Sequence, residues 1–194
     1  KSRLIPPISG NQRLAMATDG SVKHCRGGAS VVIDDGEGGR YVSVIPVDGH
    51  FDSMDSFKAE LIGILSGLVV IDVMLEMEES GDGTLEETRI NLWTDSQSSI
   101  TAISKMSTVV PWSNRAALEK EFSLLQEIRR LLDKLPQVDI KWIRSHQTVI
   151  NTREKKLNEK ADRLAKLQHQ VKGVWKSRAV PMRFPHQRMQ NKSQ

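Results

Sequence analysis

Four acidic residues lie far apart in this sequence, and each stands where a fold could bring its carboxylate to a common place. Asp19 ends one strand-like segment, and Asp95 directly follows another at 89–94. Glu60 shares the apolar face of a long helical segment, and Asp162 borders the apolar face of the last one. Carboxylates that point toward a packed interior need partners of positive charge.

Taken singly, each acid has an ordinary explanation. Asp19 and Asp95 could be caps at turns or helix starts, Glu60 could complement a helix dipole, and Asp162 could pair with a neighbouring cation. Four converging carboxylates would repel one another and therefore require metal ions. Oxygen ligands suit Mg²⁺ or Mn²⁺, and four negative charges balance two divalent ions. Two such ions, roughly 3.5–4 Å apart, serve in-line displacement at phosphorus.

The elements that must position these acids follow the order β-β-β-α-β-α-α-β-α. Alternating apolar residues indicate the strands, and apolar residues at helical spacing indicate the helices. The first segments are a strand at 13–21 that ends at Asp19, a hairpin at 27–49, a helix at about 55–79, a strand at about 89–94 and a short helix from Ser96. A long helix capped by Ser113 follows, with one stripe formed by Leu118, Phe122, Leu125, Arg129 and Leu132. The last segments are a strand at 138–143, a polar loop at 144–156 and a helix at 157–170.

This order predicts an α/β fold with a five-stranded mixed sheet and helices on both faces. The first three strands would form an antiparallel meander, and the first and fourth would be parallel neighbours. Asp19 and Asp95 would then lie at the carboxyl-end edge, where open α/β sheets place their ligands.

Composition predicts a globular chain in a reducing, intracellular compartment without a membrane partner. The chain has 194 residues, 38% of them apolar, and its one cysteine, Cys25, excludes an internal disulfide. The longest apolar run, 61–71, is shorter than the roughly 20 residues that span a bilayer. The opening segment lacks the apolar core of a signal peptide, and a start at Lys1 indicates a piece of something longer.

The chain has a net charge of +4, but its basic and acidic residues are unevenly distributed. This distribution predicts that the chain has three parts. Residues 1–13 and 171–194 carry nine basic residues and no acid, so the domain between them at 14–170 carries 19 basic and 24 acidic residues, a net charge of −5. The two basic ends could contact a polyanion, or they could be solvated linkers.

Four short motifs carry a resemblance to a known family. They are TDGS at 18–21, KAEL at 58–61, TDSQ at 94–97 and NEKADRLA at 158–165. In this order, and with these elements, they resemble the ribonuclease H family over about 14–170. The resemblance implies the ribonuclease H-like fold and metal-dependent cleavage of the RNA strand of RNA–DNA hybrids. It also implies that Asp19, Glu60, Asp95 and Asp162 bind two Mg²⁺ or Mn²⁺ ions, with Asp19 bridging both.

The same resemblance suggests further site residues. His146, in the segment WIRSHQ, corresponds to a mobile histidine that aids catalysis or product release. Ser21, Gln97 and Asn158 correspond to substrate contacts. Selection of RNA would depend on recognition of the 2′-hydroxyl in the shallow minor groove.

Some features depart from the family pattern. Asp55 stands where many relatives have a threonine that helps to hold a DNA phosphate, and residues 103–114 lack the basic handle of some cellular members. The segment FKAELIGILSGL at 57–68 is similar to ribonuclease H domains of eukaryotic retroelements, which follow a reverse transcriptase. The expected partner is therefore a covalently linked or associated reverse transcriptase. Alternatives are a catalytically silent scaffold or nucleic-acid platform, which four intact acids oppose, and another two-metal nuclease or a transposase, which TDSQ and SHQ oppose.

Overall fold

The computed structural model describes residues 14–23, 26–34, 40–47, 55–78, 89–108, 121–145 and 152–167. The two basic ends and His146 lie outside these ranges. The described elements are β1 (Ala15–Lys23), β2 (Arg26–Asp34), β3 (Arg40–Val47), α1 (Ser56–Glu78), β4 (Ile90–Thr94), α2 (Gln97–Thr108), α3 (Phe122–Lys134), β5 (Val138–Trp142) and α4 (Arg153–Leu167).

The five strands form one mixed sheet in the order β3-β2-β1-β4-β5. β1, β2 and β3 are antiparallel neighbours, as expected of a meander. β4 lies parallel to β1 on one side and to β5 on the other. The predicted α/β fold and its mixed sheet are confirmed, and so is the parallel pairing on which convergence of Asp19 and Asp95 depends.

Helices cover both faces of the sheet because side chains along each strand alternate between two cores. Met16 points into the larger core, which α1, α2 and α3 complete with residues such as Leu68 and Leu125. Ala17 faces the opposite side, where it packs with Ala161 of α4 in a smaller core. Small side chains on this second face let α4 approach the sheet closely.

α1 also lies unusually close to the sheet, because glycines face it at two successive turns. A Cβ at Gly63 would lie 3.0 Å from the Asp19 carbonyl oxygen, and one at Gly67 would lie 2.9 Å from Leu92 Cδ1. Ala59, one turn earlier, is fully buried. α1 has 23 residues, yet neither it nor another helix in the described ranges is long and apolar enough to cross a bilayer.

The predicted end of the first strand at Asp19 is wrong. β1 continues to Lys23, which pairs with Arg26 of β2. Only the pairing of β1 with β4 stops early, at Ala17 and Trp93. Asp19 therefore lies inside a strand but just beyond the point where its parallel neighbour leaves it.

α4 begins at Arg153, four residues before its predicted start, so the predicted loop is shorter. Thr152 caps this helix, since its hydroxyl oxygen accepts a hydrogen bond from the Lys155 backbone N–H at 3.3 Å. Arg153 then binds the carboxylate of Asp34 at 2.8 Å and its carbonyl oxygen at 2.9 Å. These contacts extend the helix into a segment whose polar composition indicated a loop, while the residues after Leu167 lie outside the described ranges.

The buried stripe of α3 also differs from the predicted one. Leu125, Ile128 and Leu131 are fully buried, whereas Arg129 of the predicted stripe pairs with Asp133 at the surface. The buried residues of α3 therefore recur every three residues, while Leu132 of the predicted stripe packs against the same core and is only partly buried. Ser113 and Leu118, the predicted cap and first member of the stripe, lie outside the described residues.

Candidate metal centre

Three of the four predicted acids converge at the carboxyl-end edge of β4. Carboxylate oxygens of Asp19, Glu60 and Asp95 all lie within 4.8 Å of one another. β1 supplies Asp19, the first turns of α1 supply Glu60, and Asp95 directly follows β4. Three elements distant in sequence therefore place three oxygen ligands around a volume that suits a hard divalent cation.

Burial makes this arrangement costly for ionised carboxylates without a cation. Asp19 is 4% exposed, and burial raises its pKa to about 8, with the charges of Asp95 and Asp162 acting in the same direction. Burial likewise raises the pKa of Glu60 to about 9, and the neighbouring charge of Asp19 adds to the effect. A hydrogen bond from the Gly20 backbone N–H partly opposes both shifts.

Two oxygens of this cluster lack a hydrogen-bond partner within the described part of the chain. They are Asp19 Oδ2 and Glu60 Oε2, both buried. A buried carboxylate oxygen without a donor is destabilising unless a cation or a proton satisfies it. The three residues therefore fit a divalent metal ion by geometry, by ligand chemistry and by their unsatisfied oxygens.

Asp162, on α4, lies near the other three acids without joining their close contact. Its charge raises the pKa of both Asp19 and Glu60. Its own two oxygens lie 2.5 and 2.7 Å from Nζ of Lys166, one helical turn later. The structure thus brings the four predicted acids into one region, with three in direct proximity and the fourth held by a lysine.

Two side chains that are not acids position Asp95. The indole N–H of Trp142 donates to the Asp95 carbonyl oxygen at 3.2 Å. The side-chain amide of Asn158, which is buried, donates weakly to Asp95 Oδ2 at 3.4 Å. Asn158 was predicted to contact substrate, but its burial against Asp95 favours a positioning role.

Trp142 was missed as a site residue because its role depends on strand register. β5 pairs in parallel with β4, so that Thr94 lies opposite Trp142 and the indole reaches the next residue, Asp95. The alternation of 138–143 indicates a strand but not its neighbour. A prediction of strand order together with the Thr94 register would have found this contact.

The remaining predicted residues surround the cluster in different ways. Gln97 is exposed at the start of α2, where its backbone N–H donates to the Asp95 carbonyl oxygen at 3.1 Å. Ser21 is half-buried on β1, two residues after Asp19. Asp55 caps α1, since its Oδ1 accepts from the Lys58 backbone N–H at 2.9 Å. Asp55 thus acts as a helix cap.

Asp95 and Asp162 line a small, shallow groove at this edge, and a larger cavity lies elsewhere in the described part of the chain. That cavity, of about 690 Å³, lies between α1 and α3 near Gln137. Lys134, which lines this cavity, binds Asp72 at 2.6 Å and Glu76 at 3.1 Å. An open acidic edge without a deep pocket suits a polymeric substrate better than a small molecule.

Comparison with known proteins agrees with this geometry. The chain has a TM-score of 0.59 and 19% identity to the solution structure of the PFV RNase H domain, covering 84% of this chain and 97% of that one. It has a TM-score of 0.59 and 18% identity to the protease–reverse transcriptase of prototype foamy virus, covering 88% of this chain but 22% of that one. For LC11 RNase H1, isolated from compost and solved in complex with an RNA/DNA hybrid, the TM-score is 0.52 and the identity 14%, with 80% and 95% covered.

At sequence identities this low, structural similarity shows a shared fold only. The assignment to a family therefore depends on comparison of the sequence. The sequence matches no curated protein significantly. The sequence model of the RNase H family, however, matches residues 11–170, which is most of the chain and includes every acid of the cluster. With the expected mixed sheet and three of the four motif acids in direct proximity, the chain belongs to the RNase H family.

Proposed function

We propose that this chain is a metal-dependent endonuclease that hydrolyses the RNA strand of RNA–DNA hybrids. The observation that carries the proposal is the convergence of Asp19, Glu60 and Asp95 within 4.8 Å, with buried oxygens that have no protein donor among the described residues. A scaffold without catalysis gains no stability from such a cluster, because its like charges repel and its burial disfavours ionisation.

The residues of the cluster would hold two divalent ions, Mg²⁺ or Mn²⁺. Asp19, Glu60 and Asp95 offer ligands to one ion, and Asp19 with Asp162 would complete the site of the second. The chemistry that such ions supply when bound is activation of a water molecule and stabilisation of the leaving oxygen at phosphorus. The protein fixes the ligands in advance, so that little reorganisation accompanies the reaction.

Other residues of the chain would orient the ligands and the substrate. Trp142 and Asn158 hold the backbone and the carboxylate of Asp95. Ser21 and Gln97, on either side of the cluster, would contact the nucleic acid. His146, four residues after the end of β5 in the sequence, would aid catalysis or product release.

Support for a hybrid substrate comes from the open site and from relatives. The described edge offers no deep cavity beside the acids, so a duplex can lie across it. LC11 RNase H1, which shares the fold, was solved in complex with an RNA/DNA hybrid. Discrimination against DNA duplexes would follow from contacts to the 2′-hydroxyl in a wide minor groove.

We further propose that the domain at 14–170 works beside a reverse transcriptase of a retroelement. The foamy-virus relative in which this fold recurs is a protease–reverse transcriptase, and the chain spans about a fifth of its length. The basic segments 1–13 and 171–194 would be linkers or substrate contacts, and the missing basic handle would be compensated by the polymerase part.

A cleavage assay with matched variants tests the proposed activity. With Mg²⁺, the protein should cut RNA in a hybrid and leave duplex DNA intact. Asp95→Asn should lower the rate by about a hundred-fold or more with an unchanged circular dichroism spectrum. Asp139→Asn, which neutralises an exposed acid on β5, should behave like the wild type.

Two outcomes would refute the metal assignment: full activity of Asp95→Asn, or full activity in EDTA. Hybrid binding without cleavage under any metal condition would instead support the scaffold alternative. The three results are distinguishable in one experiment that measures cleavage and hybrid affinity for each variant.

A further inference from the structure

Lys166 forms an ion pair with Asp162, the fourth acid of the site. Its Nζ lies 2.5 Å from one oxygen of Asp162 and 2.7 Å from the other. A single ammonium group therefore contacts both oxygens that a metal ion would use. The side chains of Asp162 and Lys166 are 31% and 51% exposed, so this pair lies at the open rim of the site.

In the ranges that the structure describes, the other three acids form no ion pair with a lysine or arginine, although the charge of Lys166 also acts on Asp19 and Asp95 from beyond ion-pair distance. Asp19 Oδ2 and Glu60 Oε2 are buried without a partner, and these residues approach Asp95 within 4.8 Å. Three carboxylates are therefore arranged for a cation in advance. Asp162 becomes available only when Lys166 moves away.

We propose that Lys166 is a tethered counter-ion that competes with a divalent cation for Asp162. In consequence, the cation held by Asp19, Glu60 and Asp95 binds first, and the cation that needs Asp162 binds second and more weakly. This inference rests on the metal assignment in the proposed function. It adds an order of binding and a residue that sets the affinity of the second ion.

The chemistry of lysine suits this exchange. A lysine ammonium is a compact charge on a flexible stem, and it can leave an exposed carboxylate at little cost. A divalent ion carries twice its charge and attracts the surrounding carboxylates more strongly. Lys166 thus lessens repulsion among the acids before metal binds and yields Asp162 when the second ion arrives.

A second ion pair on the same helix provides a matched control. Lys155 lies one turn before Glu159, as Asp162 lies one turn before Lys166, and the Lys155–Glu159 distance is 3.8 Å. Glu159 is not one of the three convergent acids. Removing the Lys155 charge changes the net charge of α4 by the same amount without freeing a predicted metal ligand.

The experiment measures Mn²⁺ binding to the metal-free full chain by electron paramagnetic resonance of the free ion. The wild type should bind one ion more tightly and a second more weakly. Lys166→Met should tighten the second ion about three- to five-fold, which is the upper part of the range expected for release of a partly exposed pair. It should tighten the first ion by less than about two-fold, because the Lys166 charge acts on Asp19 and Asp95 without pairing with them. Lys166→Arg and Lys155→Met should bind both ions like the wild type.

A double variant separates competition at Asp162 from a general charge effect. In the Asp162→Asn background, Lys166→Met should no longer tighten the second ion. An unchanged second affinity in Lys166→Met, or the same gain in Lys155→Met, would overturn the competition. If the wild type binds no Mn²⁺ at all, the metal assignment itself is wrong, and this inference is wrong with it.

Discussion

Gly20 lies directly against the backbone of Glu60. A Cβ built on Gly20 would lie 2.2 Å from the Glu60 amide nitrogen and 2.2 Å from the carbonyl carbon of Ala59. Real Cβ atoms do not approach backbone so closely, so α1 reaches this position only because residue 20 has no side chain. Since Asp19 precedes Gly20, this contact sets the separation of the Asp19 and Glu60 carboxylates.

Substitution of Gly20 by alanine should therefore damage both the fold and the site. The added methyl group would push α1 away from β1, because the atoms that it meets belong to the backbone and cannot turn aside. We expect a loss of about 1–3 kcal/mol in the free energy of unfolding and loss of most hybrid cleavage. Urea denaturation and the cleavage assay measure the two effects.

Gly67→Ala provides the control for this prediction. Its Cβ would meet the side-chain atoms Leu92 Cδ1, Met16 Sδ and Thr18 Cγ2 at 2.9–3.1 Å, and side-chain ends can adjust. Alanine also favours a helix over glycine by about 1 kcal/mol. Stability should stay within about 1 kcal/mol of the wild type. Equal losses in the two variants would contradict a special role for the Gly20 contact.

Sequence patterns were sufficient for the sheet, because each strand signals itself locally. Alternation at 89–94 and 138–143 and the β-branched runs at 27–49 indicated strands. Their order with the helices predicted a mixed sheet with β1 beside β4, but not that β5 lies beside β4. The end of β1 was wrong because alternation cannot report how far β2 continues as a partner beyond Asp19. α4 began early because Arg153 binds Asp34, which lies 119 residues away in the sequence, and because the local helix cap at Thr152 was overlooked.

The four acids were predictable because short motifs and the ends of strands and helices can be recognised locally in the sequence. The residues that hold Asp95 in place could not be predicted in this way. Trp142 and Asn158 reach Asp95 across 47 and 63 residues of sequence. The sequence does contain an indication that α1 packs closely against a neighbour, because the small residues Ala59, Gly63 and Gly67 recur at every fourth position. Small residues at that spacing make one smooth face, but the sequence does not say which strand lies against it.

Asn158→Ala should distinguish a positioning residue from a substrate contact. Without the amide, Asp95 loses a donor, so the turnover number should fall by about ten-fold while the Kd for hybrid stays the same. Gln97→Ala, at the exposed start of α2, should instead weaken hybrid affinity. Fluorescence anisotropy with a labelled hybrid, together with single-turnover cleavage, separates the two. A weaker Kd in Asn158→Ala would restore the substrate-contact hypothesis.

His146→Ala tests the catalytic role predicted for the loop histidine. If His146 transfers a proton or assists product release, its loss should slow turnover on the order of ten- to a hundred-fold with little change in hybrid affinity. His169→Ala, a histidine beyond the described end of α4, serves as control and should match the wild type. Weaker binding with an unchanged rate would make His146 a binding residue.

The basic tail should contribute to hybrid affinity through its charge. Deletion of 172–194 removes six basic residues and no acid, so affinity should fall and depend less on salt. Each lost phosphate contact should change the log–log salt slope by roughly 0.7–0.9. A tail of the same length with these six residues changed to glutamine should behave like the deletion. An unchanged slope in both would make the tail a linker.

The raised pKa values of Asp19 and Glu60 predict how stability depends on pH without metal. In the folded protein these pKa values are about 8 and about 9, against ordinary values of 3.8 and 4.5. The folded state therefore binds protons more tightly than the unfolded state. In EDTA their contribution to stability is full below the ordinary values and is lost as pH rises through the folded values.

Asp19→Asn isolates the contribution of Asp19 together with its coupling to Glu60, because groups that do not interact with Asp19 cancel in a difference. The Asp19 charge raises the pKa of Glu60, so this coupling changes the difference in the same direction. In EDTA, the free energy of unfolding of the wild type minus that of Asp19→Asn should fall steadily between about pH 4 and about pH 8. Mg²⁺ binds the ionised carboxylates, so it should raise the melting temperature of the wild type most at alkaline pH and that of Asp19→Asn far less. Thermal melts from pH 5 to pH 9, with EDTA or with Mg²⁺, measure both effects. A difference that stays constant or rises with pH in EDTA would mean that Asp19 is not held in a buried, repulsive cluster.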